Sequence, residues 1–218
     1  MSLIFHSHPF ALFGQKVLIA LYENATPFEA RLVDLGDEQS RAGFLAIRPN
    51  GKMPVLEDRA RGRFVPESSI IIEYLQRHYP GPVPLIPEDA EAALEVRLWD
   101  RTFDNYIALV LQKIAFDRRL PPEQSDPHGV ELARQKLREA YAILDRHMEG
   151  RTWAAGEAFS LADCAAAPSL RYADLLEPFR AGFPNLATYS DRLLARPSFA
   201  RAVEEAAPYR GLFPQPRP

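Results

Sequence analysis

The sequence predicts an α/β N-terminal unit followed by an all-α helical C-terminal part, on three observations. Over the first 80 residues, short runs of strand character alternate with helical patterns in the order β-α-β-α-β-β-α. "YPGPVPLIPED" then puts Pro80, Pro82, Pro84 and Pro87 within eight positions, which breaks regular structure and predicts a stiff, extended linker over 81–87. Beyond it, Glu88 to Leu120 holds neither Pro nor Gly, as a long helix requires. The expected units are therefore 1–80 and 88–218.

The elements follow in order. LIFH at 3–6 reads as a strand. Phe13, Val17, Ala20 and Leu21 recur at helical spacing, with Gln15, Lys16 and Glu23 on other faces. Phe28 to Val33 alternates weakly as a second strand, and Ser40 to Ile47 reads as a short helix. "PVLEDRARGRFVP" sets two apolar runs around a charged, Gly-containing centre, a hairpin signal. Glu67 to His78 is expected to be helical, with Ile70, Ile71, Tyr74, Leu75 and His78 on one face. In the second part, Trp99, Phe103, Ile107, Val110, Leu111 and Ile114 form the stripe of one long helix. Val130 to Met148 follows as another, and two shorter helices are expected near 184–195 and 197–206. "SLAD" at Ser160 to Asp163 has the form of a capping box, a hydroxyl serving a free helix N–H while a carboxylate reaches back.

Composition narrows the function classes. The 26 basic and 29 acidic side chains leave a formal charge of −3, so no basic excess points to nucleic acid or an anionic membrane surface. No apolar run approaches the ~20 residues of a membrane helix. Met1 to Phe5 is too short for a signal sequence and is interrupted by His6, Ser7 and His8, so a cytoplasmic home is expected. Cys164 is the single cysteine, which excludes an internal disulfide and any cysteine-rich zinc site; set among Ala165, Ala166 and Ala167, it reads as a small buried residue. His6, His78, His128 and His147 show no metal spacing with carboxylates, and no metal is expected. The only low-complexity stretch is the Pro-rich tail "FPQPRP".

Three segments carry a resemblance: "GKMPVLED" (Gly51 to Asp58), "PESSIIIEYL" (Pro66 to Leu75) and "SLADCAAAP" (Ser160 to Pro168). In this order and spacing the chain resembles the cytosolic glutathione S-transferases over nearly its whole length. The resemblance implies a thioredoxin-like first domain, glutathione as co-substrate, a detoxifying conjugation of its thiol to a small apolar electrophile, and a homodimer. Glutathione carries two carboxylates and an ammonium. Glu67 and Ser68 stand where a loop enters a helix, so free N–H groups and the helix dipole favour a carboxylate there. The resemblance gives Ser68 the γ-glutamyl carboxylate and Glu67 the ammonium; read without it, the pair simply begins a helix well. Met53-Pro54 would be a cis bond, cheap for X–Pro at ~0.5–1 kcal/mol. Met53 would offer its backbone to the cysteinyl part as a strand adds to a sheet edge. Lys52 would meet the glycine carboxylate, or is an ordinary surface lysine. Asp104 would reach the ammonium from a partner subunit.

The catalytic position is a departure. Relatives with similar "HPxSxxCQKVLIAL" segments carry Ser, or Cys in other branches, where this chain has Ala11, and Gly14 fills the second motif position. Alanine neither caps a helix well nor bonds a thiolate. With a thiol pKa of ~8.5, losing a charged hydrogen bond costs on the order of ten- to thirtyfold in thiolate. Ser7, His8 and Tyr106 are the candidate substitutes; each also has a plain structural reading, His8 as a packed loop residue and Tyr106 as a pocket wall. Phe10, Phe103, Tyr106 and Val110 are expected to wall the electrophile pocket. Two alternatives stay open: a glutathione-dependent disulfide reductase, which needs no cysteine of its own, and a non-enzymatic glutathione- or partner-binding module.

Overall fold

A computed structural model describes residues 2–215. Met1 and residues 216–218 of the Pro-rich tail, where the two expected units begin and end, lie outside them. The first part is a four-stranded mixed sheet in the order β2-β1-β3-β4: β1 (Leu3–Ser7), β2 (Glu29–Leu32), β3 (Val55–Asp58) and β4 (Arg63–Pro66). β1 runs parallel to β2 and antiparallel to β3, with Phe5 opposite both Ala30 and Leu56. The hairpin closes with Val55 opposite Pro66 and with Gly62 at φ +60°, a left-handed turn position that glycine takes without a Cβ penalty. Three helices complete this part: α1 (Leu12–Glu23), α2 (Glu38–Ile47) and α3 (Ser68–His78).

The helical part holds α4 (Ala90–Thr102), α5 (Leu109–Asp117), α6 (Pro127–His147), α7 (Leu161–Leu176), α8 (Pro184–Leu194) and α9 (Pro197–Ala206). The expected single helix over 88–120 is divided: between α4 and α5 the backbone widens into a π-helical turn, Phe103–Ala108. Such turns gather at functional sites, and this one carries Asp104. α6 starts three residues earlier than its apolar pattern because Asp126 caps the Gly129 N–H and Pro127 takes the first helical position, where a missing N–H costs nothing. The capping box forms as expected, with the Asp163 carboxylate accepting from the Ser160 N–H at 2.9 Å. Asp163 also accepts from Ala154 N–H and Tyr189 O–H, so a fully buried acid becomes a joint between α7 and α8.

Three local expectations are corrected by packing. α1 has no polar face: Gly14 to Leu21 are all buried, Gln15 and Lys16 included, because the helix packs against α3 on one side and α7 and α9 on the other. α3 buries Ser68, Ile71, Ile72 and Leu75, one i, i+3, i+4, i+7 stripe, and turns Ile70 outward at 52% exposure. The Pro-rich segment is docked rather than free. Asn24 Oδ1 accepts from Val83 N–H, Gln76 holds both polar groups of Ile86, and Leu161 N–H donates to Leu85 C=O. Among the described residues, no helix is long and apolar enough to cross a membrane.

Candidate functional site

Two cavities open along the line where α1 meets the helical part, and Phe13 and Met53 line both. The first, about 510 Å³, is charged. It gathers all six residues expected to hold glutathione: Lys52, Met53, Pro54, Glu67, Ser68 and Asp104. The Met53-Pro54 bond is cis. Ser68 is buried at the first position of α3. Glu67 caps that helix at φ +68°, a backbone region glycine favours, and its Oε1 accepts from Arg48 Nη2 at 2.7 Å. A non-glycine residue held there stores ~1–3 kcal/mol, a cost that clusters at functional sites.

Beneath this cavity lies an ion cluster that sequence reasoning missed. Lys16 is fully buried, and its Nζ reaches Asp100 Oδ1 at 2.5 Å, Asp104 Oδ2 at 2.8 Å and Ser69 Oγ at 2.9 Å. Arg101 joins from the rim, bonding Asp100, Asp104 and Ser69. Asp104 is therefore engaged within its own chain, by Lys16 and Arg101. Its Oδ2 is occupied and its Oδ1 is buried with no hydrogen-bond partner. Burial holds this carboxyl above the usual carboxylate range; Lys16 opposes that and the like charge of Asp100 adds to it. The sequence signal was present but ambiguous: a lysine in the second turn of a mostly apolar helix needs buried acids, and two acids four apart, Asp100 and Asp104, stood on the long helix.

The second cavity, about 680 Å³, is apolar and aromatic. Phe10 lines it as expected. Phe103, Tyr106 and Val110 do not: Phe103 is buried inside the core, Tyr106 faces solvent at 61% exposure, and Val110 packs against the core. The π-helical turn rotates these positions off the line a regular helix would give. The walls come instead from Leu111, Ala115 and Phe116 of α5, Tyr172 and Leu176 of α7, and Phe213 of the C-terminal segment. Tyr172 and Phe213 stack at 6.0 Å and 11°, and Phe10 sits edge-on to Tyr172 at 5.3 Å. Tyr172 O–H donates to Phe10 C=O at 3.0 Å and accepts from Gln15 Nε2 at 3.2 Å. Burial pushes that phenol up to about 12, so it remains a donor at neutral pH. Arg118 and Arg119 hold the tail by its carbonyls, at Pro214 and Leu212.

The three candidate thiol activators separate. Ser7 lies under α1, its hydroxyl 3.4 Å from His8 C=O, and lines neither cavity. Tyr106 also lines neither. His8 alone stands on a cavity wall, next to Ala11, Leu12 and Phe13. Ala11 caps α1 with no side-chain hydrogen bond. Cys164 is buried within α7, and burial raises its thiol far from any nucleophilic range.

The comparisons agree with this architecture. The glutathione S-transferase N-terminal domain model matches residues 5–83 and the C-terminal domain model residues 127–192. The chain is 31% identical to a probable maleylacetoacetate isomerase of Vibrio cholerae over 222 residues, covering 95% of this chain and 98% of that protein. It is 28% identical to the glutathione S-transferase GstB of Escherichia coli over 200 residues, 87% of this chain and 91% of that one. The structure superposes on a glutathione-bound glutathione S-transferase of Methylobacillus flagellatus with a TM-score of 0.84 at 27% identity, covering 92% and 98% of the two chains. With both domain models matched, and with a relative above 30% identity aligned over almost its full length, the chain belongs to the cytosolic glutathione S-transferase superfamily.

Proposed function

We propose that this chain binds glutathione in the charged cavity and conjugates its sulfur to a small apolar electrophile held against the aromatic walls of the second. One observation carries the reading: a cavity rich in charged side chains and a cavity rich in aromatic ones share Phe13 and Met53, so a thiol held by one would be presented to the contents of the other. Met53 would offer its backbone to the cysteinyl unit. The N-terminus of α3 and the Ser68 hydroxyl would take the γ-glutamyl carboxylate. The unpartnered Asp104 Oδ1 and the Glu67 carboxylate would meet the ammonium, and Lys52 the glycine carboxylate. The glutathione-bound neighbour supports glutathione as the ligand.

A homodimer belongs to the same reading. Leu94 and Leu98 of α4, with Phe64 of β4, are each about half exposed or more and would form part of its contact surface. A cytoplasmic location is part of it too. The test is a calorimetric titration with glutathione, then an assay of chloride release from 1-chloro-2,4-dinitrobenzene. Binding and turnover are expected. Absence of binding overturns the site, and binding without turnover reduces the protein to a glutathione-binding module. Light scattering should give twice the chain mass of 24.6 kDa.

A further inference from the structure

Alanine at position 11 leaves the apolar cavity without the side-chain donor its relatives place there, yet the same turn supplies another. Ala11 N–H donates to His8 C=O at 2.8 Å, which closes residues 8–11 into a turn with both side chains on the cavity wall. Phe10 N–H donates to His8 Nδ1 at 3.1 Å. A backbone amide has only a proton to give, so Nδ1 must carry the lone pair and the ring proton of the neutral imidazole must sit on Nε2. Among the described residues, no hydrogen-bond partner is seen for Nε2. Two groups face the ring from other elements. Asp34, just past β2, lines the same cavity, and Tyr209, in the turn after α9, lies edge-on at 4.6 Å. Burial lowers the pKa of His8 and favours the neutral ring; Asp34 opposes this more weakly.

We propose that His8 is the catalytic residue that holds the glutathione thiolate in this chain, its Nε2–H donating to the sulfur in place of a hydroxyl at position 11. The inference rests on the glutathione reading above. The imidazole acts as a donor, not as a base. Nε2 already carries its proton, and Nδ1 could take one only by releasing the Phe10 amide. On binding, the thiol gives its proton to solvent water, the sulfur keeps the electron pair, and the Nε2 proton stays on the ring throughout.

The experiment follows the ultraviolet thiolate absorbance of bound glutathione against pH in the full chain. His8→Asn is the informative variant, because its side-chain oxygen can still accept the Phe10 N–H and keep the turn while its shorter amide nitrogen falls short of the Nε2 position. The wild-type bound thiol should ionise below the ~8.5 of a free thiol. In His8→Asn the midpoint should rise by about one to one and a half units, a ten- to thirtyfold loss of thiolate at fixed pH. Ala11→Ser in the His8→Asn background should bring it back. An unchanged midpoint in His8→Asn, or a wild-type midpoint at the free-thiol value, overturns the proposal. S-methylglutathione, which has no thiol to ionise, reports on the site alone. It should bind wild type and His8→Asn equally; if it binds neither, the glutathione reading itself fails and His8 loses its role with it. Should His8→Asn lose its helical circular dichroism, nitrogen NMR of the wild-type His8 ring decides: Nε2 should carry the ring proton and its resonance should move when glutathione binds, and a ring protonated at Nδ1 instead, or an Nε2 resonance that glutathione leaves unmoved, overturns the proposal.

Discussion

The two cavities that meet at Phe13 and Met53 are stabilised in opposite ways. The aromatic one is walled by rings whose burial is itself favourable, at roughly 25 cal/mol per Å² of apolar surface. The charged one is floored by Lys16, Asp100 and Asp104, each at most 4% exposed. Taking such ions out of water costs several kcal/mol apiece, which their mutual attraction repays only when every partner is in place. A buried lysine is therefore poor evidence for stability and better evidence for use. The chain maintains a costly floor that leaves one carboxylate oxygen, Asp104 Oδ1, free beneath the cavity. One cavity adds to the fold while the other draws on it.

That contrast can be tested from the largest effect downward. Lys16→Met should lower unfolding free energy by about 3–5 kcal/mol, because two buried carboxylates lose their shared counter-ion; urea titration measures it, and a loss below 1 kcal/mol would show the cluster to be hydrated. Ser68→Ala should leave the fold intact and weaken glutathione binding by about 1.5–3 kcal/mol, read by calorimetry; unchanged affinity removes Ser68 from the site. Tyr172→Phe removes the hydroxyl that ties α7 to Phe10. It should cost about 0.5–1.5 kcal/mol of stability and raise KM for the electrophile while glutathione affinity stays put. If glutathione affinity falls equally, the two cavities are not independent.

The smallest effect is a pH dependence. Burial depresses the folded-state pKa of His8 below its ordinary 6.5, so the unfolded chain binds more protons between the two values. The stabilising contribution is present above 6.5 and is lost as pH falls toward the folded pKa. Protonated Nδ1 can no longer accept from Phe10. His78 and His147 are shifted the same way, so the informative quantity is the difference between wild type and His8→Asn. The wild type should lose slightly more stability between neutrality and pH 5, and parallel curves would remove His8 from the account.

What the sequence revealed follows the same division. The charged cavity is assembled from short contiguous segments, "GKMP" and "PESS", whose geometry is local: a cis X–Pro turn and a helix start. Lys52, Met53, Pro54, Glu67 and Ser68 could be named from those segments, and Asp104 from the long helix, whereas Asp100 and Arg101 on the same wall could not. The aromatic cavity is assembled from α1, α5, α7 and a C-terminal segment, brought together only by helix packing. Of its four expected walls, Phe10, which belongs to the β1–α1 turn, is the one found there. Phe103, Tyr106 and Val110 were placed on one uninterrupted long helix, which the π-helical turn divides, and nothing in composition marks such a turn. Lys16 was misjudged because amphipathicity assumes one solvent face, and α1 has none.

The close approach of Gly14 to Ser7 ties one residue's size to another's rotamer. A Cβ at position 14 would stand 2.2 Å from Ser7 Oγ, so any residue but glycine there obliges that hydroxyl to rotate away. Oγ is the free end of a short rotatable side chain, bonded at 3.4 Å to His8 C=O, so the adjustment is a change of rotamer and not of backbone. A side chain at position 14 would therefore reach the His8 turn indirectly, by releasing the Ser7 hydroxyl that leans on its carbonyl.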